Sequence, residues 1–233
     1  MMMAAARKSK NWFAIGVTAA AVVIVLVIGG VVWFANSQAT SPGTLPESSA
    51  VNTDTGAIAV GSGDQTVDTY IDFMCPVCNN FEQAYGSTLQ QLADDGTITL
   101  NIHPIAILDS QSQGTQYSTR AANAAYCVAV DDPANVPAFI KAIYAKQPKE
   151  GTAGLDDATL ASIAKDAGAS DAVTSCITDG TYTKFVTATT KKTPSQTGSG
   201  ISTPTIAING TVLVNQKDLT GDPQKDIVAR LNG

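Results

Sequence analysis

Cys75-Pro76-Val77-Cys78 places two thiols three residues apart in a chain that holds only four cysteines, at 75, 78, 127 and 176. A β-rich run, Thr66 to Phe73, feeds into this stretch, and an amphipathic helical run leaves it. Two cysteines at such a strand-to-helix junction suit thiol–disulfide exchange. Cys75 falls at the helix N-terminus, where unpaired N–H groups and the macrodipole favour a thiolate. Pro76 takes the first helical position, where its missing N–H costs nothing. Cys78 lies one turn on, on the same face, within reach of a disulfide to Cys75. Cys75 is then the exposed sulfur and Cys78 the shielded, resolving one. An inert disulfide is the competing reading, but a loop this short constrains little of the unfolded chain. Half a zinc site also looks like C-x-x-C.

Cys127 and Cys176 lack a helix-start context and lie 49 residues apart. Four cysteines allow three connectivities, and spacing favours 75–78 with 127–176. A 127–176 bridge would be structural, stabilising by roughly 4 kcal/mol in the chain-entropy treatment; free thiols or a second redox relay are the other readings. His103, the one histidine, precedes Pro104 at a strand end and reads as a packed histidine rather than a ligand. Asp72 and Glu82 flank the motif and read as solvated acids, with tuning of the thiols or orienting of a partner as the other reading. Phe73, Met74 and Phe81 read as core, or as apolar surface around Cys75.

The elements that position these groups follow from pattern. Ala57 to Val60 is a short strand. In Thr66 to Phe73, Val67, Thr69, Ile71 and Phe73 share one face, with Asp68, Tyr70 and Asp72 on the other. The helix after Cys75 puts Val77, Phe81, Ala84, Tyr85, Leu89 and Leu92 on one stripe, with Gly86 weakening or bending it. Asp95-Gly96 ends it, and Thr97 to Ile105 is a third strand. From about 111 to 192 the pattern is helical: Tyr117 to Val130, Pro137 to Lys146, a helix capped by Asp156 or Asp157 through Ala167, one capped by Ser170 through Thr178, and a weaker one from Thr181 to Lys192. Pro204 to Ile208 and Thr211 to Asn215 flank Asn209-Gly210, a strong hairpin signal. Asn209-Gly210-Thr211 is read as that turn, not as a glycosylation acceptor. Asp222 to Leu231 closes the chain as a helix.

The N-terminal part is different. Arg7, Lys8 and Lys10 precede an uncharged run from Trp12 to Phe34, 23 residues or about 35 Å as a helix, enough to cross a bilayer. Residues 1–11 are expected in the cytoplasm and 12–34 as a retained single-pass anchor. Cleavage as a signal peptide after Ala39 is the alternative. Residues 35–55, rich in Ser, Thr, Pro and Gly, read as a flexible linker, and 56–233 as the domain. Net charge is −6, with 14 Lys and Arg against 20 Asp and Glu, so a basic nucleic-acid surface is excluded. Glycine loops that cradle phosphates are missing.

Three pieces together resemble the DsbA-like thiol:disulfide oxidoreductases, in particular membrane-anchored actinobacterial ones. They are Phe73-x-Cys75-Pro76-x-Cys78-x-x-Phe81-Glu82, Thr203-Pro204-Thr205 opening a strand into Asn209-Gly210, and the helical stretch between them. The resemblance implies an α/β thioredoxin-like fold with an inserted helical domain. It implies that Cys75 and Cys78 are catalytic, with Pro76 and Val77 in the active-site loop. It also implies that Pro204 is cis and faces the cysteines, and that Thr203 offers backbone groups to a substrate peptide. Thioredoxins and many relatives carry a carboxylate six residues before the first cysteine; this chain has Thr69 there. Strongly oxidising members have histidine inside the loop; this chain has the uncharged Val77. The implied function is to introduce disulfides into exported proteins on the extracytoplasmic side of the cell membrane. A quinone-linked reoxidase of DsbB or vitamin-K-epoxide-reductase type would be the partner. No metal, nucleotide or haem cofactor is implied, and a monomer is expected. A reductase or isomerase of the same fold, or a non-catalytic membrane-tethered peptide-binding module, are the other readings.

Overall fold

The computed structural model describes residues 22–34 and 41–232. They fall into two units that divide at Ser41. In the first, residues 22–34 form a helix (α1) whose side chains are all exposed. Part of the expected anchor, 12–21, lies outside the described residues. Among the described residues no helix is long and apolar enough to cross a membrane; α1 as described is about 20 Å long at 1.5 Å per residue.

The second unit is built on a five-stranded sheet of order β1-β3-β2-β4-β5. Its strands are β1 Ile58–Gly61, β2 Gln65–Ile71, β3 Ile98–Pro104, β4 Thr205–Ile208 and β5 Thr211–Val212. β2 and β3 are parallel, and the other pairings are antiparallel. The parallel pair needs a crossover, and α2 (Pro76–Asp94) supplies it. Alternation places Val67, Thr69 and Ile71 inside, against Leu100 and Ile102 of β3. Pro104, with no N–H to donate, ends β3.

α2 buries Cys78, Phe81, Tyr85, Leu89 and Ala93. The phase of the helix is therefore set by Cys78, and Val77, expected on the inner stripe, is 54% exposed. Gly86 does not break the helix. It ends as expected: Gly96 turns left-handed at φ +76, and Thr97 N–H and Gly96 N–H donate back to the carbonyls of Leu92 and Ala93, the Schellman pairing.

Between β3 and β4 lies the helical insertion: α3 Tyr117–Asp131, α4 Val136–Ala145, α5 Asp157–Asp166, α6 Val173–Thr178 and α7 Thr183–Thr190. α3 is its centre. Small side chains (Ala121, Ala122, Ala124, Ala125, Ala129) bury it on nearly every face. Asp156 caps α5 by accepting from Thr159 N–H at 2.8 Å. α6 starts at Val173, later than Ser170; the Ser170 hydroxyl donates to Asp131 of α3 and accepts Ala172 N–H. Cys127 on α3 is bridged to Cys176 on α6, Cα–Cα 5.9 Å.

Two boundaries differ from expectation. The stretch read as linker to residue 55 is packed well before that: Pro46 is buried and Val51 bridges Ile58. After the Asn209-Gly210 turn (φ +47 and +78), β5 is only two residues long. Asn215 instead opens a short helix, α8 (Asn215–Asp218), with its side chain turned to the Pro204 carbonyl. The closing helix has a π turn, Gln224–Val228, before α9 (Ala229–Leu231). Within that turn Asp226 accepts the buried Tyr85 hydroxyl of α2 at 2.6 Å.

Candidate active site

The C-terminal end of β2 and the start of α2 define the site. Cys75 is the N-cap of α2, extended at φ −73, ψ 116, with no side-chain cap and Pro76 in the first helical turn. Both thiols are free. Cys75 is 6% exposed and Cys78 fully buried, so Cys75 is more shielded than expected of the exposed sulfur. The cover is Thr203, whose carbonyl lies 3.7 Å from Cys75 Sγ. The Thr203–Pro204 peptide is cis. The structure thus gathers Cys75, Pro76, Val77, Cys78, Thr203 and Pro204 at one place. The Cys127–Cys176 bridge lies apart from it, within the insertion.

The two thiols have opposite acidities. A hydrogen bond from the Cys78 thiol does most to lower Cys75, to about 6. Partial burial opposes this, and the Thr203 hydroxyl and the N–H groups of Cys78 and Val77 assist. Burial does most to push Cys78 well above an ordinary thiol, and the neighbouring Cys75 adds to it. One sulfur is therefore set up as a thiolate and leaving group, the other as a protonated thiol.

Asp72 is a correction. It is not a solvated acid: it is fully buried. β2 stops at Ile71, so strand alternation no longer sets its direction. Its carboxylate accepts from Met74 N–H at 2.9 Å, Ser118 Oγ at 2.7 Å, and the N–H groups of Ile107 and Leu108 at 2.8 and 3.0 Å. Burial pushes its pKa up, and these donors oppose the rise. Its backbone carbonyl accepts Cys75 N–H and the Tyr144 hydroxyl.

Glu82 is only half exposed and lines a cavity of about 1130 Å³ between α2, α4 and the sheet, together with Thr69, Tyr144 and Lys141. Burial raises its pKa, against the pull of Lys141. Phe73, Met74 and Phe81 are core; Phe73 packs on Tyr144 and Phe139. The apolar side chains left exposed near the thiols are Val77 beside Cys75 and Ile201 before Thr203, 54% and 37% exposed. His103 is buried, hydrogen-bonded to Asp68 at 3.0 Å and stacked on Tyr70.

Sequence reasoning missed two residues that shape the site. Gln147, just past α4, donates to the carbonyls of Phe73 and Cys75. Gln196 holds the cis-proline loop by donating to the Pro204 carbonyl at 2.9 Å and to Thr205 Oγ1 at 2.9 Å. Neither sits in a motif, and only the three-dimensional fold brings them to the loops.

A family profile described as Thioredoxin matches residues 54–221. The reduced form of the disulfide oxidoreductase DsbG from Mycobacterium tuberculosis is 31% identical, with a TM-score of 0.65 over 76% of this chain and 86% of that one. This is a DsbA-like member of the thioredoxin superfamily of thiol-disulfide oxidoreductases. Oxidised DsbA from M. tuberculosis is 33% identical to this DsbA-like chain, TM-score 0.60, over 68% of the chain and 85% of that protein. The serine/threonine-protein kinase PknE of M. tuberculosis is 35% identical over 161 residues, 66% of this chain. The chain matches only 28% of the length of that curated relative.

Proposed function

We propose that this DsbA-like chain is an extracytoplasmic oxidase that introduces disulfides into exported proteins through Cys75 and Cys78. The observation that carries the reading is the split in acidity across the pair, with Cys75 lowered to about 6 and Cys78 raised. A stabilised Cys75 thiolate favours the reduced form, and a pair with a favoured reduced form is an oxidant. In the oxidised protein a substrate thiolate attacks Cys75 Sγ. The Cys75–Cys78 bond breaks, and Cys78 leaves and takes up a proton. A second substrate thiolate attacks the substrate's own sulfur in the mixed disulfide and expels Cys75 as thiolate. The substrate gains a disulfide and the pair is left reduced. The cis Thr203–Pro204 peptide lies alongside the sulfur that carries the mixed disulfide, with the Thr203 backbone available to a substrate strand.

The anchor belongs to the same proposal. A helix that is apolar all round, as 22–34 is, needs a non-aqueous setting, and the basic residues 7, 8 and 10 favour a cytoplasmic N-terminus. The partner that restores the disulfide would then be a membrane reoxidase of DsbB or vitamin-K-epoxide-reductase type, with reduced exported proteins as substrates. The test is the reduction potential of the Cys75–Cys78 pair in glutathione buffers. A value around −180 mV or higher supports an oxidase; a value near about −270 mV makes the protein a reductase and overturns the reading.

A further inference from the structure

The Cys75–Pro76–Val77–Cys78 loop contains no charged side chain, and Val77 points largely to solvent. The groups that favour a thiolate at Cys75 are instead short-range and directional: the Cys78 thiol, the Thr203 hydroxyl, and the N–H groups of Cys78 and Val77. Cys75 is the N-cap of α2 but its side chain makes no capping hydrogen bond; its sulfur lies 3.7 Å from the Thr203 carbonyl. A charge acts at a distance in any direction. A hydrogen bond weakens steeply once the donor turns away. Stabilisation of this kind therefore depends on whatever fixes the orientation of the loop.

Gln147 fixes it from outside. It lies two residues beyond the end of α4, 72 positions from Cys75. Its side-chain amide donates to the Phe73 carbonyl at 3.1 Å and to the Cys75 carbonyl at 2.9 Å. Its oxygen accepts from Asn79 Nδ2 at 3.0 Å, and Asn79 Nδ2 also donates to the Tyr144 carbonyl. One amide thus uses both its hydrogens and its oxygen on residues before, within and after the motif. The Cys75 carbonyl also accepts the helical N–H groups of Cys78 and Asn79, at 3.1 and 3.3 Å.

We propose that Gln147 is a positioning residue for the Cys75 sulfur, by which the helical insertion holds the backbone of the redox loop and so fixes where that sulfur sits beside Thr203. The role is that of a charged residue inside the motif, filled from another element. The proposal rests on the dithiol reading above.

The test uses the whole chain in detergent with the Cys127–Cys176 bridge intact. Thiolate absorbance is titrated on the reduced protein, and the Cys75–Cys78 pair is equilibrated with glutathione. Gln147→Met keeps the length of the side chain and removes both donors. It should move the Cys75 titration up by about one unit and shift the glutathione equilibrium about tenfold toward the disulfide. Adding Val77→His, which puts a cation into the loop, should bring both readouts back toward wild type. Gln147→Glu, same shape but with acceptors facing two carbonyls, should shift both further and stands in if the Met variant does not fold. Wild-type values in a folded Gln147→Met or Gln147→Glu protein overturn this proposal alone. A wild-type pair that does not exchange with glutathione overturns both it and the dithiol reading.

Discussion

Ser118 of α3 donates its hydroxyl to the Asp72 carboxylate at 2.7 Å, joining the helical insertion to the residue three before Cys75. The carboxylate accepts from four donors in three segments, so its removal leaves four donors without this acceptor, those of Met74 and Ser118 in a buried setting. Asp72→Ala should cost on the order of 3 kcal/mol, and Ser118→Ala about 1–2 kcal/mol, because hydrogen bonds to charged groups exceed neutral ones. Urea unfolding of the reduced proteins measures both. A surface acid would give less than about 0.5 kcal/mol, and that value for Asp72→Ala would refute the assignment.

Redox state and pH should be coupled through Cys75. Its folded pKa, about 6, is depressed from an ordinary thiol value of 9.0. Below about pH 6 the thiol is protonated whether the chain is folded or not, and it contributes nothing. Between 6 and 9 the folded reduced protein binds fewer protons than the unfolded, so its stability rises with pH, by at most about 1.4 kcal/mol per unit. Above 9 the gain is complete. The oxidised protein has no such group. Unfolding of both forms at pH 5.5, 7 and 8.5 should show the reduced form gaining on the oxidised one, with no gain in Cys75→Ser. A constant difference across that range would mean that Cys75 is an ordinary thiol.

Much of this was legible in sequence, for definite reasons. The strand–CxxC–helix junction and the Asn209-Gly210 turn are local, because proline at a helix start and left-handed turn residues leave few conformations. Alternation gave the inner face of β2 correctly through Ile71. It failed at Asp72 because alternation says nothing once the strand has ended. Val77 lies off the buried stripe because Cys78, one residue and about 100° away, sets the phase of the helix. Gln147 and Gln196 had no local signal, since their partners lie across the fold. The depth of α3 has no signature in the helical pattern alone, because its buried alanines let other helices approach on nearly every side.

The Cys127–Cys176 bridge closes a 49-residue separation between α3 and α6. Replacing both cysteines by alanine should lower stability by roughly 4 kcal/mol in the chain-entropy treatment, less if the unfolded insertion keeps structure. Neither residue adjoins the loop that holds Cys75 and Cys78. The glutathione equilibrium of that pair should therefore stay within about twofold of wild type, measured by alkylation and mass shift. A large change would make the bridge part of a relay with the first pair.

Gly86 gives a prediction whose sign is set by one side chain. A methyl group there would run into Glu82 Oε1 and lie 2.7 Å from its Cδ. That contact looks prohibitive, but it is made by the free end of a flexible side chain on a cavity wall, and Glu82 is already raised in pKa by burial. Swinging the carboxylate toward solvent relieves both the contact and the desolvation. Glycine within a helix costs up to about 1 kcal/mol against alanine, and Gly86 has no positive φ to protect. Gly86→Ala should therefore stabilise the protein by some part of that 1 kcal/mol and return Glu82 toward an ordinary carboxylate, read by denaturant midpoint and by the pH dependence of unfolding between 4 and 7. Destabilisation by more than about 1 kcal/mol would show instead that the Glu82 carboxylate is held where it lies.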